Sequence, residues 1–410
     1  MAATTAASVL AAVGLALVGC KSKPDAGKGA GAPPAAVAAA GSGIGGGPGL
    51  SAVAEASGLA LPVSDVAGPA ITPVAGAGLT FVVPQGDVTW MEVSFPCYAA
   101  GATMSSGADG HPGAPIAGVS PAIPAVMAAA GIDLDHDLTA IGGFACGDKP
   151  CIYIAAHLAA PARIADGLAA IPGIDVTDHG GGHYSFAAPG ANGPRTIHVR
   201  VVPVRWPAGR VADDPWNAAQ LATTHVLFLS GLIGGDDVDP TTRLLAGKDA
   251  AAKVAATEQL VDGARGRCML GRIGRQDDVK PGFVVDRGRF VVAAPVGKGD
   301  PLTTLMSSKR SLALEIELTM TPAPTDADLA RWTRESRTWM AGVAAPIRQQ
   351  FAAGGPAVDV VFDMVDVLVE HGFTATIHDH DLRLSWRTDR VPASALEALE
   401  RRFQATMGTP

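Results

Sequence analysis

The chain has few charged and few aromatic residues for its length. Of its 410 residues, 17% are charged and 5% are aromatic, and the formal net charge is −8. No run of lysine and arginine is longer than two residues, so the chain lacks the basic face that nucleic-acid recognition requires. We therefore expect no nucleic-acid partner. The 48% of hydrophobic residues is enough for a folded core and excludes a wholly disordered chain.

Sequence motifs for common catalytic and cofactor sites are also missing. The chain has no serine nucleophile elbow, no zinc-protease helix motif and no phosphate-binding loop. Gly41-Ser42-Gly43-Ile44-Gly45-Gly46 formally matches the dinucleotide fingerprint. That fingerprint needs a helix directly after it, and Gly47-Pro48-Gly49 would break such a helix. We therefore predict no cofactor, and no catalytic residue can be assigned.

The first 19 residues are typical of an export signal, because residues 2–19 are uncharged and apolar and end in small residues. Leu17-Val18-Gly19-Cys20 resembles the lipobox of bacterial lipoproteins. The composition of the chain is similar to that of uncharacterised predicted lipoproteins from high-GC Gram-negative bacteria. This resemblance implies cleavage before Cys20, lipid on its thiol and, since Lys21 rather than aspartate follows, an outer-membrane location. The alternative interpretation of residues 1–20 is a transmembrane anchor that ends in a cysteine by chance.

Residues 20–78 consist mainly of alanine, glycine and proline, with few large apolar side chains. Such a composition is typical of a flexible tether. A Gly-rich coil of about 58 residues has an end-to-end distance of roughly 40–45 Å, which would hold a domain clear of a membrane surface. The predicted globular region is residues 79–410, with a suspected division into two subdomains near residues 240–310.

The globular region contains both strand-like and helix-like patterns. Alternating apolar residues predict hairpins at residues 138–158 and 373–387, and single strands at 196–204, 225–230, 267–273, 289–293 and 311–320. Helical spacing follows Thr325, a predicted capping-box residue, and also follows Pro161 and Pro392. Without regular strand–helix alternation, the mixture favours an α+β fold in which mainly antiparallel strands and hairpins pack with amphipathic helices. The order helix, hairpin, helix occurs twice, which suggests two related modules.

Four cysteines remain once Cys20 is assigned to lipid, and an even number in an exported protein indicates two disulfides. Cys146 and Cys151 flank a turn-forming Gly-Asp-Lys-Pro segment, so their bond would staple the tip of a hairpin. Cys97 and Cys268 are paired by elimination. Zinc binding by the cysteines is the competing interpretation, but the two-residue cysteine spacing typical of zinc sites is missing.

Histidines occur in two suggestive places. His378-Asp379-His380-Asp381 is the most metal-like string, because alternate strand residues share a face and both residue types are good ligands. The string lies at a predicted hairpin turn, where such residues are ordinarily solvated, so we predict no metal there. His179 and His183 flank three glycines and are predicted to lie in a loop.

These observations favour an exported, membrane-anchored lipoprotein with a non-catalytic binding, interaction or structural role in the cell envelope. Its predicted partners are the membrane, through the lipid on Cys20, and an unidentified envelope protein or ligand. The alternative is an envelope hydrolase whose site is assembled from scattered aspartate, histidine and serine residues. A third candidate is a subunit of a larger complex, which an extensive exposed apolar patch would support.

Overall fold

A computed structural model describes most of the chain after residue 69. The described residues are 70–75, 79–94, 131–132, 137–146, 149–158, 164–170, 174–188, 194–206, 220–231, 239–261, 266–280, 282–294, 313–334, 363 and 366–407. In chain order, strands β1 to β15 are Val74–Ala75, Leu79–Thr80, Trp90–Ser94, Leu138–Cys146, Lys149–Ala156, Val176–Gly180, His183–Ala188, Arg195–Pro203, His225–Ser230, Gly266–Ile273, Gln276–Lys280, Phe283–Ala294, Ala313–Thr321, Phe373–His378 and Asp381–Arg387. Helices α1 to α4 are Ile164–Ala169, Gly247–Glu258, residues 326–334 and Ala393–Met407.

Thirteen of these strands form one antiparallel sheet. Its order is β14-β15-β13-β12-β10-β3-β4-β5-β9-β8-β7-β6, with β11 beside β12. The predicted α+β class with two helix–hairpin–helix modules is therefore wrong, because the predicted hairpins are neighbours in a single sheet and helices are few among the described residues. Distant segments join the hairpins: β10 pairs with β3, and β5 pairs with β9. Local periodicity reveals strands but carries no signal for such non-local pairing.

Several local predictions are confirmed. The hairpins at residues 138–158 and 373–387 are present as β4–β5 and β14–β15, and a helix, α4, follows Pro392. At the start of α3, the Thr325 hydroxyl accepts a bond from the Asp328 backbone N–H at 3.2 Å, and Asp328 Oδ2 accepts one from the Thr325 N–H at 3.0 Å. This reciprocal pair is a capping box with aspartate in the place of the usual glutamate.

The strands fall into two groups that share one order of connections. In the first, β3, β4 and β5 are followed by α1, and the chain later returns so that β9 pairs with β5 and β8 with β9. In the second, β10, β12 and β13 are followed by α3, and β15 then pairs with β13 and β14 with β15. The groups meet where β3 pairs with β10. The first group carries an additional hairpin, β6–β7, at its outer edge, which the second lacks among the described residues.

The central strands are buried on both faces of the sheet, as continuous apolar runs predict. In β9, Val226 and Phe228 join one core, and Leu227 and Leu229 join another on the opposite face. A third core lies over the strands of the second group. The predicted subdomain division near residues 240–310 stays a prediction, although hydrogen bonds between β3 and β10 make the sheet continuous across it.

The packed part of the chain begins before Leu79. Ile71, which the composition places in the tether, is buried and forms a parallel bridge with Val204. Its backbone N–H donates to the Pro203 carbonyl at 2.9 Å, and its carbonyl accepts from the Arg205 N–H at 2.8 Å. Composition alone misses this contact because one isoleucine among many small residues carries little pattern.

Candidate functional site

Three histidines from three neighbouring strands meet at one face of the sheet. His179 lies in β6, His183 begins β7 and His198 lies in β8. Ser185 is directly opposite His198 in the ladder, and His183 precedes Ser185 by two residues, so these two histidines share a face. His179 joins them because its ring stacks on that of His183. One ring nitrogen from each histidine lies within 4.8 Å of the other two. We call this group the histidine cluster.

A glycine turn brings the first two histidines together. Gly180, Gly181 and Gly182 all have positive φ, between 60° and 81°, a conformation that other residues adopt only with strain. A Cβ on Gly182 would lie 2.7 Å from the Val201 carbonyl oxygen, so a larger residue would also push β7 away from β8. The turn places the rings of His179 and His183 with centroids 4.5 Å apart and nearly parallel, at 28°.

The histidine cluster combines one buried and one exposed side chain. His183 is only 7% exposed, His198 is half-buried, and His179 is exposed. His183 Nε2 lies 3.2 Å from His198 Nδ1, a distance at which two neutral rings can share one hydrogen bond. His179 Nε2 lies 2.7 Å from the hydroxyl oxygen of Ser185. The strands thus hold three imidazoles and one hydroxyl within reach of a single small ligand.

The charges next to the histidine cluster are largely paired. Arg200 is opposite His183 in the ladder and forms an ion pair of 3.2 Å with Asp239. Asp178 precedes His179 and accepts the Gly180 backbone N–H at 2.7 Å. Because the nearby carboxylates are engaged by these partners, imidazole nitrogen is the main ligand type that the cluster offers, and imidazole suits zinc, copper and nickel.

A second polar group, centred on Glu92, is buried in the middle of the sheet. Glu92 Oε2 accepts the Phe81 backbone N–H at 2.9 Å and the Tyr153 hydroxyl at 3.0 Å. Its Oε1 atom faces the Arg267 guanidinium at 3.7 Å. Burial raises the pKa of Glu92 above its ordinary value, although Arg267 and the hydrogen bonds act in the opposite direction. These contacts fasten the segment that follows β2 to the sheet, which is a structural role.

Lys253 of α2 has a similar role. Its Nζ atom donates to the carbonyl oxygens of Pro84 at 2.7 Å and Gly86 at 2.6 Å. Burial lowers the pKa of Lys253 to about 8, with a smaller contribution from the charge of Arg272. The amine is committed to two backbone acceptors, so it clamps α2 to the segment before β3.

The string at residues 378–381 is not brought together as a ligand set. His378 is 91% exposed and lies 3.3 Å from Asp379 across the turn of the β14–β15 hairpin. His380 instead bonds to the Met320 carbonyl at 2.9 Å, and Asp381 accepts from Thr319 at 2.7 Å. These are the solvated and locally bonded residues that a hairpin turn predicts.

The cysteines of the β4–β5 hairpin are joined. Cys146 and Cys151 form a disulfide at the tip of the hairpin, with their Cα atoms 5.8 Å apart. Cys268 is also disulfide-bonded. Cys97 and Cys20 lie outside the described residues, so the pairing of Cys97 with Cys268 and the lipidation of Cys20 stay predictions.

The predicted loop for His179 and His183 is wrong, because both belong to the β6–β7 hairpin. The signal for that hairpin was present in the sequence: a glycine turn between two short segments, each containing a histidine next to the turn. The alternation of residues 196–204 also places His198 on one face of its strand. The sequence carries no signal for the pairing of β7 with β8, which brings the third histidine to the other two.

No protein-family model, curated protein or solved structure matches this chain. In the part of the chain that the structure describes, no helix is both long enough and apolar enough to cross a membrane.

Proposed function

We propose that the protein is an exported lipoprotein, held to the cell envelope by lipid on Cys20, with a non-catalytic binding role performed by its large sheet. The observation that carries this proposal is the motif Leu17-Val18-Gly19-Cys20, placed directly after an apolar segment of signal-peptide length. Since Lys21 follows the cysteine, the outer membrane is the proposed location. The partner is an envelope protein or a small ligand.

The segment between the lipid and the sheet supports this arrangement. The buried contacts of Ile71 leave about 50 residues of Ala/Gly/Pro-rich chain after Cys20. A coil of that length and composition has an end-to-end distance of about 40 Å. The lipid would therefore fix the sheet near a membrane surface without requiring it to enter the bilayer.

The buried polar groups of the described sheet favour binding over catalysis. Glu92 and Lys253 hold backbone segments through hydrogen bonds, and Glu315 is held by Ser385 and Arg383 in the interior of the second group of strands. Among the described residues, Met91 is the one large hydrophobic side chain that is exposed. The described surface therefore gives no support to the third candidate, a subunit with a broad apolar interface.

A hydrolase remains the second candidate because of one observation. The histidine cluster has three imidazoles and a serine hydroxyl at one face. Three protein ligands with one open position are the arrangement that catalytic zinc sites use to activate water. Metal-dependent turnover of an ester or peptide substrate, lost on substitution of His183, would favour the hydrolase over the binding protein.

The anchoring proposal is tested by Cys20→Ala. We expect this variant to lose fatty-acid labelling and to shift from the membrane to the soluble fraction, because the thiol is the only lipid attachment point that the motif provides. Lys21→Asp is the matched control: it should keep the label and stay with membranes, while moving toward the inner membrane. Unchanged membrane fractionation of Cys20→Ala would show that the lipoprotein interpretation is wrong.

A further inference from the structure

We propose that His179, His183 and His198 bind one divalent transition-metal ion of the zinc and copper class. Nothing in the sequence motif at Cys20 requires such a site. The inference gives a ligand class to the binding role and in that respect rests on the proposed function, but the geometry that carries it does not depend on lipidation.

The distances between the ring nitrogens fit a metal ion. For metal–nitrogen bonds of about 2.0–2.1 Å, two ligands of a tetrahedral ion are about 3.3 Å apart. His183 Nε2 and His198 Nδ1 are 3.2 Å apart, which matches one edge of that tetrahedron. The third nitrogen lies within 4.8 Å of both. His179 is exposed, so a rotation of its side chain that moves the nitrogen by up to about 1.5 Å can close the set.

The surroundings of the histidine cluster also resemble a prepared ligand set. A metal-bound imidazole commonly uses its other ring nitrogen for a hydrogen bond that fixes its orientation. Ser185 is 2.7 Å from His179 Nε2, a bond that would leave Nδ1 of His179 as the nitrogen that binds the metal. All three ligands come from hydrogen-bonded strands, and the glycine turn fixes the approach of the first two. Sites built on strands hold ligand positions more accurately than sites on loops.

A hydrogen-bonded histidine pair without metal is the competing explanation for the 3.2 Å contact. That explanation accounts for His183 and His198, but it does not account for the third imidazole, which brings a nitrogen to within 4.8 Å of both. The three rings, with Arg200 opposite His183, would also repel one another if protonated. A bound cation on neutral rings uses all three nitrogens, and it leaves a fourth position for water or a small anion.

The test is metal binding by the full-length protein in detergent. After removal of metal with a chelator, we expect titration with Zn²⁺ or Cu²⁺ to show one equivalent bound. His183→Gln, His198→Gln and His179→Ala should each weaken binding by at least about 100-fold, since even the loss of an outer hydrogen-bond partner typically costs about 10- to 100-fold. Ser185 is such a hydrogen-bond partner, so Ser185→Ala should weaken metal binding by about 10-fold.

The matched control is the double variant His378→Gln with His380→Gln, which removes two exposed or locally bonded histidines and should bind metal like the wild type. His179→Ala changes an exposed side chain, so this variant should lose a metal ligand without losing stability. In the absence of metal, we expect its midpoint of thermal unfolding to equal that of the wild type. Less than one equivalent bound by the wild type, or unchanged affinity in all three histidine variants, would overturn the proposal. His183→Gln should still be lipidated, so failure of the metal site and failure of membrane anchoring give different results.

Discussion

Replacing Arg267 with methionine is expected to destabilise the protein by about 3–5 kcal/mol, the usual effect of leaving a buried charge without its partner. Arg267 is buried and lies between Glu92 at 3.7 Å and Glu258 at 2.9 Å. It also donates to the Thr80 hydroxyl at 2.7 Å. Methionine fills similar space but supplies no donor, so these acceptors lose their bonds in the interior. Urea unfolding, followed by circular dichroism, measures the loss.

The effect of this substitution should depend on pH. Glu92 already has a raised pKa in the folded protein because of burial, and Arg267 opposes that shift. Without the arginine, the folded-state pKa rises further above its unfolded value. A folded state that binds more protons than the unfolded state loses stability as pH rises. The stability deficit of Arg267→Met should therefore be smaller near the ordinary carboxyl pKa than at neutral pH, and it should grow as the solution is made less acidic.

Two further variants isolate the cause. Arg401→Met removes an exposed arginine, 69% accessible, from an ion pair with Glu397, and such surface pairs are worth about 0–1 kcal/mol. Combining Arg267→Met with Glu92→Gln should recover part of the lost stability, because the uncompensated carboxylate is gone. If Arg267→Met costs no more than Arg401→Met at neutral pH, the buried network around Glu92 does not stabilise the sheet.

The second large effect is expected at Gly142, where alanine should destabilise the protein by about 3 kcal/mol, the upper end of the usual cost of overpacking. A Cβ at this position would lie 2.1 Å from the ring and hydroxyl of Tyr153 and 2.5 Å from the Met91 carbonyl oxygen. The Tyr153 ring would have to move, and its hydroxyl would lose the 3.0 Å bond to Glu92. The backbone oxygen belongs to the paired strand β3, so that contact cannot be relieved by a rotamer change. Thermal and urea unfolding measure the loss.

Gly143→Ala is the control within the same strand. Its added Cβ would meet only the Cys151 carbonyl oxygen, at 3.1 Å, and the lower flexibility of alanine in the unfolded chain offsets part of that crowding. We expect a change of no more than about 1 kcal/mol. Equal stability of the Gly142→Ala and Gly143→Ala proteins would show that Tyr153 does not occupy the space over Gly142.

Much of the local structure could be predicted from the sequence. The alternation of residues 373–387 predicts β14 and β15, and the turn between Cys146 and Cys151 predicts both a hairpin and its disulfide. These signals are local, since each depends on residues only a few positions apart. The fold class could not be predicted in the same way. The strands of the sheet are joined by pairs such as Ile152 with Leu229, and nothing in the sequence around either residue indicates its partner.

The histidine cluster shows the same division between local and non-local information. The glycine turn between His179 and His183 is a local signal that favours a hairpin, although its exposed, polar strand β6 has no apolar alternation to indicate a sheet edge. His198 joins only through the pairing of β7 and β8. Two of the three histidines lie on the β6–β7 hairpin, which the first group of strands has in addition to the shared order, and the third lies on the neighbouring strand β8.

We propose that Cys20 carries the lipid that holds this sheet to a membrane. The most direct test is intact-mass and peptide mass spectrometry of protein extracted from the membranes of an expressing Gram-negative host. We expect a mature chain that starts at Cys20, lacks residues 1–19 and carries the added mass of a diacylglyceryl group on the cysteine sulfur. A chain that retains residues 1–19, or one that starts at Cys20 with no lipid mass, would contradict the claim.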